Sequence, residues 1–454
     1  MENILKNDSQ LFYKNLITIG IPIAMQQLVG TALNMIDTVM IGSLREEAIA
    51  AVSIANRWFF LYVVCLFGIY SGMSIFTSQY WGVCDIKNIR RILGMALTIG
   101  MAVGSFFCLV AVFFPVQLMS LFIQDPIVIQ YGVEYLQIIG ITYFLSAVSF
   151  AFTYVSRSVH RTKIPMVASV VALSINTCFN YLLIYGKFGF PELGVQGAAL
   201  ATVLSRIIEI VLMLFFIYKG PRQHPLAASV KELVDWDFKR LKEILKKGVP
   251  VFVNDSLWAL GNTVFYIAFG YLGAASIAAI QIAFILSDGF WAFFIGVGSA
   301  SSVIVGNEIG RNQFDLAWKL SLRLIKISCV LSIIATVFMI LLMKPIGALY
   351  NITPETKILL ERSIFVIAIY LLPRNINYLL NVGILRSGGD SKYAMLLDVI
   401  MVWGIAVPLA FISVLVWKLP IYWVIAIVYA QELIKILFLI HRYQTKKWLK
   451  NIIV

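Results

Sequence analysis

The chain has 454 residues, of which 60% are hydrophobic and only 13% charged, and its mean hydropathy of +0.88 excludes a typical soluble globular protein. Its net charge of +13 does not indicate nucleic-acid binding, because the basic residues lie in short loops between apolar runs. The five cysteines show no CxxC or metal-ligand spacing. The composition therefore predicts a polytopic membrane protein, without a cofactor or a nucleic-acid partner.

Twelve apolar runs are long enough to cross a hydrocarbon core of about 30 Å, which requires about 20 helical residues. We place these runs at residues 15–43, 48–80, 92–115, 127–156, 164–186, 195–218, 246–271, 276–307, 320–343, 357–384, 393–417 and 421–441. No signal-peptide h-region or cleavage site precedes the first run, so we expect it to stay as a membrane helix.

Basic residues are distributed unequally between the two sides of these runs. Twenty-five Lys and Arg residues fall on the side of the N-terminus, and five fall on the other side: Arg45, Lys187, Lys344, Lys357 and Lys418. Because cytoplasmic loops carry the excess of positive charge, we expect both termini in the cytoplasm.

The second half of the chain repeats the first. A shift of 228 residues aligns 20–82 with 248–310 without a gap and matches 14 of 63 positions, and a shift of 229 pairs RSVHRTKIPM with RSGGDSKYAM further on. The chain is therefore predicted to be a duplicated six-helix unit, with both copies in the same orientation. We expect an N-lobe at 1–218, a cytoplasmic linker at 219–245 and a C-lobe at 246–454. The segment VKELVDWDFKRLKEILKK starts inside the linker and ends at the beginning of the seventh span. Its pattern predicts one amphipathic surface helix before that span.

Asp37 is a lone acid in the first apolar run. An uncompensated charge in hydrocarbon costs at least about 2.5–3.5 kcal/mol on insertion scales, so such acids face a partner, water or a transported ion. Asn176 and Asn180 share one face of the fifth span, and Thr202 lies in the sixth. These groups could hold a monovalent cation or hydrogen-bond a protonated acid, although such side chains also join helices without a ligand. The corresponding second-half residues are Phe265, Ile405, Leu409 and Gln431, so a site is expected in the first half only.

Two acids have a basic residue within one helical turn. Glu432 and Lys435 are three residues apart in the twelfth span, and Arg206 and Glu209 are three residues apart in the sixth. This spacing predicts an ion pair within each helix.

The second half holds further acids that are candidates for a substrate cavity. Asp255 and Asp398 have no obvious local partner, so we expect them to attract cations into a cavity, and Asp288 is a third acid of this kind. Gln26 and Trp258 complete the candidate set, since an indole ring can bind a flat cation by stacking and cation–π contact.

Five motifs resemble the multidrug and toxic compound extrusion (MATE) family: NMIDTVMIG, RTKIPM, NYLLIYGKFGFPELGVQGAALAT, VGNEIG and LRSGGDS. The resemblance covers nearly the whole chain. It implies the all-α fold of that family and of the MOP superfamily, with 12 transmembrane helices in two pseudo-symmetric six-helix lobes. By the family pattern Asp37 matches the first-span acid, and Asn176, Asn180 and Thr202 match the polar cluster proposed to bind H⁺ or Na⁺. Asn375 and Trp258 stand where NorM-like members carry acids, which argues against a second Na⁺ site of that kind.

The resemblance also implies a function: secondary antiport that exports organic, mostly cationic, amphiphilic compounds in exchange for H⁺ or Na⁺, with no cofactor. We expect a monomer in lipid, in the cytoplasmic membrane of a bacterium, where such export confers antibiotic resistance. The alternative is a lipid-linked oligosaccharide flippase or lipid exporter of the same superfamily. Its phosphate-bearing substrate would favour an Arg- or Lys-rich cavity, whereas these spans hold more acids than bases. An enzyme is not expected, because the chain has no HExxH, P-loop or CxxC motif.

Overall fold

The computed structural model describes residues 2–42, 46–220, 224–350 and 352–453, and these residues form helices and connecting turns without any β-strand. This confirms the all-α prediction; Arg45, used above to orient the chain, lies outside the described residues. The α-helices are α1 (Glu2–Gly42), α2 (Glu46–Gly82), α3 (Ile86–Phe113), α4 (Pro115–Ser120), α5 (Pro126–Ile139), α6 (Ile141–Ser158), α7 (Lys163–Tyr185), α8 (Gly194–Tyr218), α9 (Val230–Val234), α10 (Phe238–Gly270), α11 (Ala274–Gly310), α12 (Phe314–Leu349), α13 (Pro354–Tyr378), α14 (Ser391–Val399), α15 (Val407–Phe411) and α16 (Ile421–Gln444). Leu379–Leu385, Ile400–Ala406 and Ile412–Val416 are π-helical, and Lys187–Gly189 and Arg386–Gly388 are 3₁₀ turns.

Within the described ranges, nine helices are long and apolar enough to cross a membrane, and α5 with α6 forms a tenth candidate bent by 46°. The bend lies at Gly140, where a Cβ would come within 2.9 Å of the Val112 side chain. The Thr142 hydroxyl also donates to the carbonyl oxygen of Ile139 at 2.6 Å, which satisfies a group that the bend would otherwise leave unpaired.

The other two of the twelve predicted spans are α10 and α13. Among the residues that the structure describes, neither of these two helices is as apolar as the ten candidates above. Polar side chains explain this: α10 contains Asn254, Asp255 and Asn262, and α13 contains Arg362 and Arg374. The count of twelve fits the fold and includes these two less apolar helices.

The chain forms two compact units. One unit contains Met1–Ala24, Ser78–Cys84 and Lys246–Val454, and the other contains Met25–Thr77 and Asp85–Leu245. The beginning of α1 and the end of α2 thus group with the second half of the chain. The division into an N-lobe, a linker and a C-lobe stays a prediction.

Two glycines allow the ends of α2 and α11 to touch within the first of these units. A Cβ on Gly82 would lie 2.1 Å from the carbonyl oxygen of Asn307, and a Cβ on Gly310 would lie 2.1 Å from that of Gln79. The contact is reciprocal, because Gly82 corresponds to Gly310 and Gln79 to Asn307 in the sequence repeat. Backbone therefore packs directly on backbone at this crossing.

Gly310→Ala should lower the free energy of unfolding by about 1–3 kcal/mol, because the added methyl group meets a backbone atom that cannot rotate away. Gly289→Ala in the same helix is the matched control, since nothing lies within 4 Å of its Cβ position. We expect the control to be neutral or slightly stabilising, since alanine favours a helix by up to about 1 kcal/mol. Thermal unfolding of the two purified variants checks this, and equal midpoints would contradict the close approach.

The residues after α16 pack against the end of α2 in this same unit. Trp448 is fully buried, and a Cβ on Gly388 would lie 1.6 Å from its carbonyl oxygen. The Gln79 side chain donates to the carbonyl oxygen of Lys450 at 3.2 Å and accepts from the N–H of Ile452 at 2.9 Å. The C-terminal tail is therefore an integral part of the unit.

The linker differs from the single amphipathic helix expected for it. A capping box at Ser229 begins the short α9, and the chain leaves the helix at Asp235 before α10 continues into its apolar part without a break. Glu232 pairs with Arg90 at 2.5 Å, and Asp235 pairs with Arg91 at 2.7 Å. These ion pairs fix α9 on the start of α3 and account for the interruption.

Candidate functional site

A cavity of about 340 Å³ lies inside the unit formed by residues 25–77 and 85–245. Helices α1, α2, α5, α6, α7 and α8 contribute its lining. The polar lining residues are Asp37, Ser53, Asn56, Tyr135, Thr142, Asn176, Asn180, Thr202, Ser205 and Arg206, and the apolar ones are Ile41, Ile49, Val52, Phe59, Ile139, Leu173 and Ala198. The structure thus brings all four residues predicted for cation binding to one cavity.

Hydrogen bonds connect these four side chains across three helices. Asn180 Nδ2 donates to Asp37 Oδ1 at 2.9 Å and to Asn176 Oδ1 at 3.3 Å. Asn176 Nδ2 donates to Thr202 Oγ1 at 3.4 Å, and Thr202 donates to the carbonyl oxygen of Ala198 at 3.0 Å. The two amides are buried, whereas Asp37 keeps part of its surface exposed. The carboxylate is therefore held by an amide while it remains accessible from the cavity.

Local structure fixes these positions. Asn176 and Asn180 are one turn apart on α7 and so point the same way. α7 ends at Gly186, whose φ of 63° is the left-handed conformation common at helix ends. One residue earlier, the Tyr185 hydroxyl donates to the carbonyl oxygen of Met40 at 3.0 Å, which joins α7 to the turn of α1 that follows Asp37. The Asn180–Asp37 contact is thus supported on both helices.

The chemistry of this cluster suits a small cation. A carboxylate can bind a proton directly, and carboxylate, amide and hydroxyl oxygens are ligands that hard metal cations prefer. Asp37, Asn176 and Thr202, which carry such oxygens, all line the cavity. The donor set fits H⁺ and Na⁺ equally, so it does not choose the ion.

A second hydrogen-bonded chain runs behind the cavity. Arg157 donates to Gln26 Oε1 at 3.1 Å, Gln26 Nε2 donates to Ser169 Oγ at 2.8 Å, and Ser169 donates to Glu209 Oε1 at 2.6 Å. Arg206 Nη1 completes it at 2.7 Å from Glu209 Oε2, which confirms the ion pair predicted in the sixth span. Gln26 does not line the Asp37 cavity. Its amide instead takes part in this series of hydrogen bonds, between Arg157 and Ser169.

Two acids expected to lack partners are paired. Asp255 forms an ion pair with Arg386 at 2.9 Å, and Asp398 forms one with Lys435 while also accepting from Asn381 Nδ2 at 2.7 Å. The expectation that these acids are uncompensated was wrong, because their partners come from other helices. Their charges are neutralised within the unit that contains them.

The predicted ion pair between Glu432 and Lys435 does not form, because each side chain has other partners. Asn377 Nδ2 donates to the Glu432 carboxylate at 2.7 Å, and Gln431 Nε2 donates to it at 2.8 Å. Lys435 instead bonds to Asp398. Two neutral amides therefore hold Glu432.

The remaining candidates of the second half lie apart from one another. Asp288 on α11 is exposed, and Trp258 on α10 is 52% exposed. Asn375 is buried and donates to the hydroxyls of Ser328 and Ser332, both at 2.7 Å. Asn375 therefore joins α13 to α12.

Comparison with known proteins identifies the family. The sequence profile of the MatE family matches residues 22–182 and 250–412, one match in each half of the repeat and more than half of the chain together. The chain belongs to the MATE family. It is therefore a multi-pass membrane transporter of the MATE type and not an enzyme, as the motifs predicted.

Individual relatives are distant but match along nearly the whole chain. YisQ of Bacillus subtilis (strain 168), described as an uncharacterised transporter, is 23% identical over 437 residues, 95% of this chain and 93% of YisQ. YoeA of the same organism, described as a probable multidrug resistance protein, is 25% identical and covers 86% of this chain and 85% of YoeA. A solved MATE transporter of the MOP superfamily in an outward-facing conformation superposes with a TM-score of 0.84 at 17% identity, over 96% of each chain. This likeness confirms the predicted fold.

Proposed function

We propose that this MATE protein is a secondary antiporter that exports small organic, mostly cationic, amphiphilic compounds in exchange for H⁺ or Na⁺. The observation that carries the proposal is the position of Asp37, an accessible carboxylate among amide and hydroxyl groups on the wall of an intramembrane cavity. The relative YoeA, described as a probable multidrug resistance protein, supports export of drugs.

Competition for one negative charge would couple the two fluxes. Facing outward, Asp37 takes up H⁺ or Na⁺, the charge of the cavity is neutralised, and an organic cation is released. Facing inward, the ion leaves, and the restored charge favours a new organic cation. Coupling follows because the two ligands differ in their affinity for the two conformations of the same protein.

Asp37, Asn176, Asn180 and Thr202 form the coupling site in this proposal. Their amide and hydroxyl groups orient the carboxylate and supply oxygen ligands where the ion is Na⁺. The protein acts as a monomer in the bacterial cytoplasmic membrane with both termini inside, in keeping with the distribution of basic residues.

Ethidium efflux from membrane vesicles, with pH and Na⁺ gradients imposed separately, tests the proposal. One of the two gradients should accelerate efflux by about 5–150-fold over vesicles without a gradient, the range that coupling free energies of about 1–3 kcal/mol give. Vesicles without the protein and the anionic dye carboxyfluorescein are the controls. An efflux rate that neither gradient changes would refute antiport.

A further inference from the structure

Arg206 places a positive charge on the wall of the cavity that contains Asp37. A guanidinium beside a carboxylate site would compete with any cation for that carboxylate, because it stays protonated under all physiological conditions. Arg206 therefore needs another partner if Asp37 is to bind an ion.

Glu209 is that partner. Its side chain is 3% exposed, and its two carboxylate oxygens accept from different donors, Arg206 Nη1 at 2.7 Å and Ser169 Oγ at 2.6 Å. Ser169 is itself held by Gln26, which Arg157 holds in turn. The carboxylate is thus fixed by side chains of α7 and α8 and, through Gln26 and Arg157, by α1 and α6.

The second half of the chain contains the same kind of pair. With the 229-residue shift of the repeat, Arg206 corresponds to Lys435 and Ser169 to Asp398, and Lys435 and Asp398 form an ion pair. The residue corresponding to Asp37 is Phe265. A buried pair at this place is therefore common to both halves, whereas the cavity acid Asp37 has no acidic counterpart in the second half.

We propose that Glu209 is a positioning residue of the cation site, which holds Arg206 away from Asp37 and so preserves the negative charge of the cavity. The inference rests on the proposed coupling role of Asp37. The three charges, one positive and two negative, sum to −1. Glu209→Gln changes the sum to zero, and removal of both members of the pair restores −1.

The test measures the external concentration of the coupling ion, Na⁺ or H⁺, that gives half-maximal ethidium efflux from vesicles. For Glu209→Gln this concentration should rise about tenfold or more, because Arg206 released from Glu209 would compete with the coupling ion, and a nearby positive charge weakens proton binding by a carboxylate by about tenfold or more. The double variant Arg206→Gln/Glu209→Gln should return to within about threefold of the parent protein. Arg206→Gln alone should not raise it, because it removes the positive charge that would compete with the coupling ion. Glu243→Gln, at an exposed glutamate of α10, is the matched control.

A purely structural ion pair makes a different prediction. Both single variants would then lower the amount of folded protein alike and leave the half-maximal ion concentration unchanged. That result would overturn the inference. So would a higher half-maximal ion concentration for Arg206→Gln, or a double variant as impaired as Glu209→Gln. If Glu209→Gln does not fold, the Arg206→Gln and double variants decide. Asp37→Asn separates the two proposals, since gradient-coupled efflux in that variant refutes the proposed coupling role of Asp37, on which the inference rests.

Discussion

Asp37→Asn is expected to abolish gradient-coupled efflux. The amide keeps the size of the side chain and can still accept a hydrogen bond from Asn180, which donates to Asp37 at 2.9 Å. What it loses is the charge for which the ion and the organic cation compete. Coupled ethidium efflux should therefore fall by about 5–150-fold, to the level of vesicles without an imposed gradient.

The measurement compares Asp37→Asn with Asp315→Asn at equal amounts of protein in the membrane. Asp315 is an exposed acid in the first turn of α12, so the control makes the same chemical change outside the cavity. The control should transport like the parent protein. Full coupling in Asp37→Asn would show that the ion binds elsewhere.

Lys435→Met should destabilise the protein by about 3–5 kcal/mol, because it leaves a carboxylate buried without its cation. The side chains of Lys435 and Asp398 are 12% and 9% exposed, and Asn381 is the other donor to this carboxylate. An amide alone does not compensate a buried negative charge. The loss should appear as a lower midpoint of thermal unfolding and faster inactivation of the purified protein.

Two variants decide whether charge is the cause. Asp398→Asn/Lys435→Met removes both charges and should recover most of the stability, since replacing a buried pair by neutral groups is often close to neutral. Lys319→Met, at an exposed lysine of α12, should change stability by less than about 0.5 kcal/mol. A midpoint for Lys435→Met like that of Lys319→Met would contradict the buried pair.

Spacing along one helix anticipated one of the two ion pairs predicted from it, and neither of the ion pairs that Asp255 and Asp398 form with other segments. The Arg206–Glu209 pair followed from a separation of three residues and was correct. Asp255 was expected to be uncompensated because a helical turn on either side holds no base, yet Arg386 reaches it from 131 positions away. Partners at that distance depend on how helices pack, which periodicity does not encode.

The same limit applies to the fold. Apolar length predicted the positions of the spans, but it gave no sign of the 46° bend between α5 and α6. For the cavity, resemblance to the family supplied Asn176, Asn180 and Thr202, whereas Asn56 and Tyr135 carried no signal of their own. Common polar residues become recognisable as a site only when coordinates show what lies beside them.

The contact between Gln79 and the C-terminal tail affects how the nascent protein matures. Residues 25–245 include every segment of one compact unit, so that unit can form while the ribosome is still translating. The hydrogen bond between Gln79 and Ile452 forms later, because Ile452 is 373 positions further along the chain. At about 5–20 residues per second, Ile452 is synthesised roughly 20–75 s after Gln79. Until then the Gln79 side-chain amide lacks the backbone partners that the C-terminal tail supplies in the folded protein.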